Sequence, residues 1–269
     1  MLRQADIATR LKTKAMGRTI LTLNEVDSTN QALLNFADSA PDGMVITSEI
    51  QTAGRGRHRR LWFSPPGTNL YFSIFLRPGL PATRLPQIPM LTACALHRML
   101  LKIAPEMRCQ LKWPNDIWCN ERKLSGILCE CPPANSQPPT IVVGIGINVN
   151  SNLEDFPPDL RDIATSMAIA SEHPYLRETV LAEFLNEFDA LYDQWKQEED
   201  LSFIADYWAK YDLLKGRNIG LATLEQEIRG TVVGYTPQGF MLFQLPDGTT
   251  KTVSAGDVHL NTHLTPPQN

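Results

Sequence analysis

Past Gly216 the chain breaks into four short runs, NIGLATL, EIRGTVVGYT, GFMLFQL and TKTVSAGDVHL, separated by turn signals such as PQG and PDG. Runs this short, rich in β-branched and aromatic residues and punctuated by Gly and Pro, do not build helices. At this spacing they predict a small antiparallel barrel. Upstream the texture differs, because strand-length apolar runs alternate with longer helical patterns. The two textures predict an α+β chain with a boundary near Gly216, and 269 residues suffice for one large unit with such an appendage.

Residues 1–17 read as a loosely attached amphipathic segment and Thr19–Val26 as the first strand. Ser28 with Gln31 three positions on fits a capping box that opens a helix through about Ala37, with Leu33, Phe36 and Ala37 on one face. Strands follow at Met44–Glu49 and Asn69–Arg77, the latter alternating Leu70, Phe72, Ile74 and Leu76 as a half-buried strand would. Leu85–Ala104 is a helix whose Pro86 and Pro89 confine the regular part to its second half. Lys123–Cys131 and Thr140–Val149 read as strands joined by the Pro-rich loop CPPANSQPP. Glu178–Lys196 carries apolar residues at helical spacing with acids opposite, and Leu201–Lys215 is a further helix for Gly216 to end.

Charge is unevenly spread. The chain has 25 Lys and Arg against 29 Asp and Glu, a net −4, which argues against a globally basic nucleic-acid binder. Between Glu49 and Glu106, however, there is no acid, and eight basic residues give +8, whereas Ser151–Asp200 carries 3 basic against 13 acidic residues. A basic segment in an acidic chain suggests a local anion site. The five cysteines form no C-x-x-C pair and lie far from any His cluster that would complete a zinc site, as expected of reduced thiols in the cytoplasm. The first residues lack the apolar core of a signal peptide, and no apolar stretch reaches the roughly 18 residues of a membrane span.

Three Gly-rich or polar segments adjoin apolar strands: QTAGRGRHRR (51–60), LKWPND (111–116) with RKLSGIL (122–128), and VGIGINVN (143–150). Neither Gly motif matches a P-loop or a dinucleotide fingerprint. Gly54 and Gly56 allow close backbone approach, and Arg55 and Arg57 offer planar donors for carboxylate or phosphate, although a solvated basic loop has the same composition. Lys112, Asn115 and Asp116 around Pro114 suit a phosphate, a base edge or Mg²⁺, or equally a surface turn. Lys123 is placed to project from a strand, and Asn148 ends an apolar one, where a buried amide needs partners.

GRGRHRRLWFSP, KWPND, RKLSGIL and GIGINVN, with an early DSTN at 27–30, together resemble the catalytic domain of biotin–protein ligases from about residue 19 to the C-terminus. The resemblance implies a class II synthetase-like domain at 19–215, with a central mixed β-sheet and flanking helices. It also implies a short N-terminal segment at 1–18 and an SH3-like barrel at 216–269. It implies that Ser28, Thr29, Asn30 and Gln51 contact the ureido end of biotin, and that the loop of Gly54, Arg55, Gly56 and Arg57 closes over the ligand. Lys123 would reach the biotin carboxylate and the phosphate, with Gly126, Gly144 and Gly146 as pocket walls. Arg57, Arg60, Lys112, Asn115, Asp116, Lys123 and Asn148 would form the ATP and Mg²⁺ side, with Arg57, Asp116 and Lys123 catalytic. Trp62 packs near the nucleotide or, more simply, in the core.

The implied reaction has the carboxylate of biotin attack the α-phosphate of ATP, releasing pyrophosphate. A lysine amine of a biotin carboxyl carrier protein then takes biotin from the adenylate. Such chemistry needs cations and Mg²⁺ rather than a side-chain nucleophile. The family loop usually has Gly where this chain has Arg59, which would be strained if the position requires φ > 0. Family members that are also repressors carry an N-terminal winged helix, for which about 18 residues are too few. A monofunctional ligase, without nucleic acid or membrane as partner, is therefore expected. Pairing through the central sheet as a homodimer is compatible with the family. The competing enzyme is a lipoate or octanoate ligase, and the competing non-enzyme a module gripping nucleic acid through the basic loop.

Overall fold

The computed structural model describes residues 1–132, 138–222, 227–254 and 256–259. In chain order they form α1 (Gln4–Ala8), β1 (Ile20–Val26), α2 (Thr29–Leu34), β2 (Val45–Gln51), β3 (Leu70–Leu76), α3 (Ile88–Ile103), β4 (Cys109–Lys112), β5 (Asp116–Cys119), β6 (Arg122–Glu130), β7 (Ile141–Ile147), α4 (Met167–Ser171), α5 (Arg177–Gln197) and α6 (Ala205–Tyr211). Five strands follow: β8 (Asn218–Ala222), β9 (Glu227–Tyr235), β10 (Met241–Gln244), β11 (Thr250–Val253) and β12 (Asp257–His259). The first seven strands make one mixed sheet in the order β1-β2-β3-β7-β6-β5-β4, in which only β1 and β2 run parallel. The last five make an antiparallel sheet in the order β11-β10-β9-β8-β12.

Helices cover both faces of the large sheet. Leu70, Phe72, Ile74 and Leu76 of β3 pack with Leu91 of α3 and Phe184 and Phe188 of α5, while Phe75 joins Leu33, Ile46 and Val142 beneath α2. All seven residues of β3 are therefore buried, and the half-buried strand expected from its alternation is corrected to a central strand with two covered faces. Each such apolar side chain removed from water is worth ~1.5–3 kcal/mol. Ser73 is the odd residue in this strand, a hydroxyl at 0% exposure, and it faces the side on which the site lies.

Other expectations are corrected by local chemistry. The N-terminal segment is firmly held, since the buried carboxylate of Asp189 accepts from the backbone N–H groups of Lys14, Ala15 and Met16 at 2.8, 3.0 and 3.0 Å. The capping box does not form: Ser28 makes no side-chain cap bond, and the Gln31 amide turns to Asn35 Oδ1 at 3.3 Å. Regular α2 accordingly stops at Leu34, short of Ala37. Pro89 lies in the first turn of α3, where a missing N–H costs nothing, so that helix is regular over 16 residues. The helix expected over Leu201–Lys215 ends at Tyr211, because Asp212 turns its carboxylate onto the N–H groups of Leu214 and Lys215. Gly216, at φ +79°, is a left-handed junction into β8. TKTVSAGDVHL supplies two strands, so the small sheet has five rather than four. Residues 133–137 of the Pro-rich loop, and 260–269 of the expected barrel, lie outside the described residues.

The two sheets share one core, in which Ile219, Leu221, Val232, Met241 and Phe243 join the residues beneath α3 and α5. Trp113 Nε1 donates to Gly239 O at 3.0 Å across the junction.

Candidate active site

One end of the site is neutral and buried. Where β1 gives way to α2, Ser28, Thr29 and Asn30 are 4%, 3% and 3% exposed. The end of β2 brings Gln51 alongside, so that Thr29 N and Oγ1 lie 2.9 and 3.2 Å from Gln51 Oε1. Ser73 Oγ sits 2.8 Å from Thr29 Oγ1 and 2.6 Å from Asn30 Oδ1. The Asn30 amide nitrogen donates to Leu128 O at 3.1 Å and to Glu130 Oε2 at 2.7 Å. All polar atoms of the Asn30 side chain are thus engaged within the protein. A Cβ on Gly144 would lie 2.2 Å from Asn30 Oδ1, so this glycine makes room for Asn30 and not directly for a ligand.

The opposite end is charged. The β4–β5 hairpin turns at the cis Trp113–Pro114 peptide and carries Lys112, Asn115 and Asp116, each less than a tenth exposed. Asp116 Oδ1 pairs with Lys123 Nζ from the start of β6 at 2.7 Å, and register places Asp116 opposite Gly126. Asn115 Nδ2 donates to Ile127 O at 2.6 Å, leaving its oxygen to Arg57 Nη1 at 3.4 Å. Lys112 Nζ lies 5.2 Å from the Trp118 ring and donates to Val258 O at 3.2 Å. Arg57 Nη2 likewise donates to Gly256 O at 3.1 Å. Asn148 is fastened one step back, its amide donating to Thr165 O at 2.9 Å while Thr165 N donates to Lys123 O.

Between the two ends lies a floor of paired glycines, Gly126 and Gly146, with the loop of residues 54–62 above it. Trp62 occupies the space over them: a Cβ on Gly146 would lie 2.3 Å from its indole. Its Nε1 is buried with no hydrogen-bond partner among the described residues, and Lys123 Nζ is 5.6 Å from the ring. The residue is half-buried over the cleft, so the core role is not met. A Cβ on Gly54 would meet Trp62 O at 2.7 Å, whereas one on Gly56 would find only ordinary contacts at 3.6 Å and beyond; close approach is a property of Gly54 alone. His58 and Arg59 both adopt left-handed backbone, at φ 54° and 59°. The position where the family usually has Gly does require φ > 0, and here an Arg bears the strain. Arg60 is exposed on the loop's return.

The structure brings the expected residues together around one cleft, Arg60 on the exposed side of the loop, and it adds Ser64, Ser73, Trp118, Thr165, Glu130 and two barrel carbonyls. Ser73 and Glu130 carry a legible signal, as lone polar residues within or ending apolar strands. The carbonyls of Gly256 and Val258 carry none. Among the described residues no group of three or more His, Cys, Asp or Glu could hold a metal by itself.

Known proteins resemble this chain in sequence and in fold. Residues 23–148 match the biotin/lipoate A/B protein ligase family, and residues 216–260 match the biotin protein ligase C-terminal domain. The bifunctional ligase/repressor BirA of Bacillus spizizenii is 34% identical over 260 residues, spanning 96% of this chain and 79% of that protein. The chain belongs to the biotin protein ligase family. Enzymes of this family attach biotin by ATP-dependent ligation, in keeping with the ligase expected from the motifs. The biotin–[acetyl-CoA-carboxylase] ligase of Mycobacterium tuberculosis is 30% identical over 239 residues, 87% of this chain and 86% of its own length. The biotin protein ligase of Aquifex aeolicus, solved with biotin and ATP, superposes with a TM-score of 0.79 at 29% identity, covering 90% of this chain and 98% of that one. The mixed seven-stranded sheet with flanking helices and a C-terminal β unit is the fold of this family.

Proposed function

We propose that the protein condenses biotin with ATP to biotinyl-5′-adenylate, releasing pyrophosphate, and passes biotin to a lysine of a biotin carboxyl carrier protein. The observation that carries this reading is the gradient of polarity along the cleft: neutral donors and acceptors at Thr29 and Gln51, a glycine floor under the Trp62 indole, then Lys112, Lys123 and Arg57. A ligand with an uncharged polar ring at one end and a carboxylate at the other fits that gradient, and a lipoyl ring without N–H groups leaves the neutral end unpaired.

In this reading Thr29, Gln51 and Ser28 meet the ureido ring, while Asn30 and Gly144 support them. Lys123 and Arg57 draw the carboxylate and the α-phosphate together and offset their charge, which the fold holds in position before reaction. Asp116 keeps Lys123 oriented. Lys112, Arg60 and Asn148 complete the nucleotide side. Asp116 and Asn115 present oxygens of the kind Mg²⁺ takes when phosphates supply its other ligands, and that ion would screen the triphosphate. The loop of Gly54–Arg57 shields the mixed anhydride from water until an amine arrives. The division at Gly216, a cytoplasmic setting, action without nucleic acid or membrane, and pairing through the central sheet belong to the same proposal. No helix among the described residues is long and apolar enough to cross a membrane.

Incubation with ATP, Mg²⁺, biotin and a carrier domain should add one biotinyl group to the carrier by mass spectrometry. Lys123→Ala should abolish biotin-dependent pyrophosphate exchange. Exchange driven equally well by lipoate, or no product, would refute the assignment.

A further inference from the structure

The hairpin that carries Lys112, Asn115 and Asp116 has two cysteines at its base. Cys109 opens β4, Cys119 closes β5, and the ladder register sets them directly opposite one another. Residues paired across antiparallel strands point to the same face, so the two thiols meet, and the Cys109 thiol donates to Cys119. Both are buried, yet the pair lies at the rim of the sheet, flanked along the chain by exposed Arg108, Asn120 and Glu121.

The backbone shows which kind of pair this is. Cys109 N donates to Met107 O and Cys109 O accepts from His97 Nε2, so neither group is given to Cys119. Cys119 in turn pairs with Arg122 across a two-residue turn, in which Asn120 and Glu121 adopt left-handed backbone at φ 50° and 60°. Cys109 and Cys119 are therefore a non-hydrogen-bonded pair. Cα atoms in such a pair stand about 4.5 Å apart, inside the roughly 4.4–6.8 Å over which a disulfide closes. Their Cβ atoms lie about 4.5–5.5 Å apart where a disulfide needs about 3.8 Å, so closure draws the strands together by ~1 Å. Cys119 is the thiol equipped to react first. It accepts from the Cys109 thiol and the Arg108 N–H, which hold it below its ordinary value against the opposing effect of burial, whereas the same thiol contact and burial raise Cys109.

We propose that Cys109 and Cys119 form a reversible disulfide on exposure to hydrogen peroxide, and that this cross-link weakens the nucleotide end of the cleft. The Cys119 sulfur attacks one peroxide oxygen, the O–O bond breaks, and hydroxide leaves and takes up a proton as water. The Cys109 sulfur then attacks the sulfenic sulfur, the S–O bond breaks, and a second water carries off the remaining proton. Two thiols lose two electrons and two protons, which the peroxide takes up. A thiol reductant reverses the bond. In a reducing compartment such a pair serves as a sensor and not as a staple. Asp116 begins the strand that Cys119 ends, and Lys123 follows just beyond the turn, so a shift at the base reaches the 2.7 Å Asp116–Lys123 pair. This consequence rests on the ligase reading above.

The test treats the full chain with hydrogen peroxide, alkylates the remaining thiols under denaturing conditions and maps tryptic peptides. Cys109–Lys112 and Trp113–Arg122 should be recovered joined, and should separate on reduction. In biotin-dependent ATP–pyrophosphate exchange the oxidised protein should show KM for ATP raised about fivefold or more, KM for biotin within about twofold, and recovery with dithiothreitol. Cys119→Ser should give neither the joined peptides nor the peroxide effect, and Cys109→Ser should leave a sulfenic acid at Cys119 that dimedone labels. Peroxide that leaves both thiols free to alkylate, or joins other cysteines instead, overturns the proposal. Joined peptides with an unchanged KM for ATP overturn its consequence for the cleft. The peptide map needs neither a variant nor activity: a wild type without exchange refutes the ligase reading, and the map still decides the cross-link.

Discussion

Two glycine-rich segments border the same cleft, GIGIN on β7 and GRGRHRR in the loop above it, and their glycines serve different ends. On β7 the backbone is ordinary strand and the need is volume, because Cβ atoms at Gly144 and Gly146 would lie 2.2 and 2.3 Å from Asn30 and Trp62. In the loop only Gly54 meets a need for volume, and the need for conformation falls on two residues that are not glycine, His58 and Arg59, at φ 54° and 59°. A G-x-G pair thus marks a packed floor in one place and a strained cover in the other. Floors tolerate no added atoms; covers tolerate substitution and change their rates.

Substitutions should separate the two. The largest effect is expected at Gly146→Val, where a branched side chain fills the floor and biotin-dependent exchange should fall by more than about 100-fold. Gly144→Ala should cost ~2–3 kcal/mol of stability in urea unfolding, since Asn30 is held from three sides. Arg57→Gly should keep adenylate synthesis but speed adenylate loss about tenfold, because it removes charge-assisted bonds to the hairpin and the barrel. Retention as tight as wild type would show that the loop does not cover the intermediate.

Acid sensitivity should arise behind the floor. Burial holds His97 below its ordinary value of 6.5, and its ring contacts Tyr207 OH at 2.7 Å and Cys109 O at 2.9 Å. A depressed His means stability that is complete above pH 6.5 and lost as pH falls toward the folded-state value, by at most ~1.4 kcal/mol per pH unit. That slope should vanish in His97→Gln. The smallest effect is expected at Arg59→Gly, which relieves a left-handed residue and should add ~0.5 kcal/mol in thermal unfolding without moving exchange rates. A loss of stability there would mean that the loop is shaped by side-chain contacts of Arg59 and not by backbone strain.

Long periodic segments are legible in the amino-acid pattern itself: β1, β2, β3, β6, β7 and α5 lie within two residues of their expected places. The β4–β5 hairpin is not, as its four-residue strands are too short for an alternation to register and Trp113–Pro114 reads as a simple turn. Helix ends differ from expectation where a side chain chooses another backbone donor, as with Asp212 beyond α6. In the site, residues carried by motifs are legible, whereas Ser73 and Glu130 stand out only as polar residues in or at the end of a strand, and their partners are distant in sequence. Arg59 is the informative case, since one departure from a motif locates the strained turn.

The bonds from Arg57 to Gly256 O and from Lys112 to Val258 O bear on the order in which a growing chain becomes competent. The floor, the neutral pocket and the loop are all encoded before residue 150, yet two of their cations are anchored by backbone at and just before β12. The two anchors are therefore the last parts of the cleft to leave the ribosome. A chain cut short before Gly256 would lack the two backbone acceptors that steady Arg57 and Lys112.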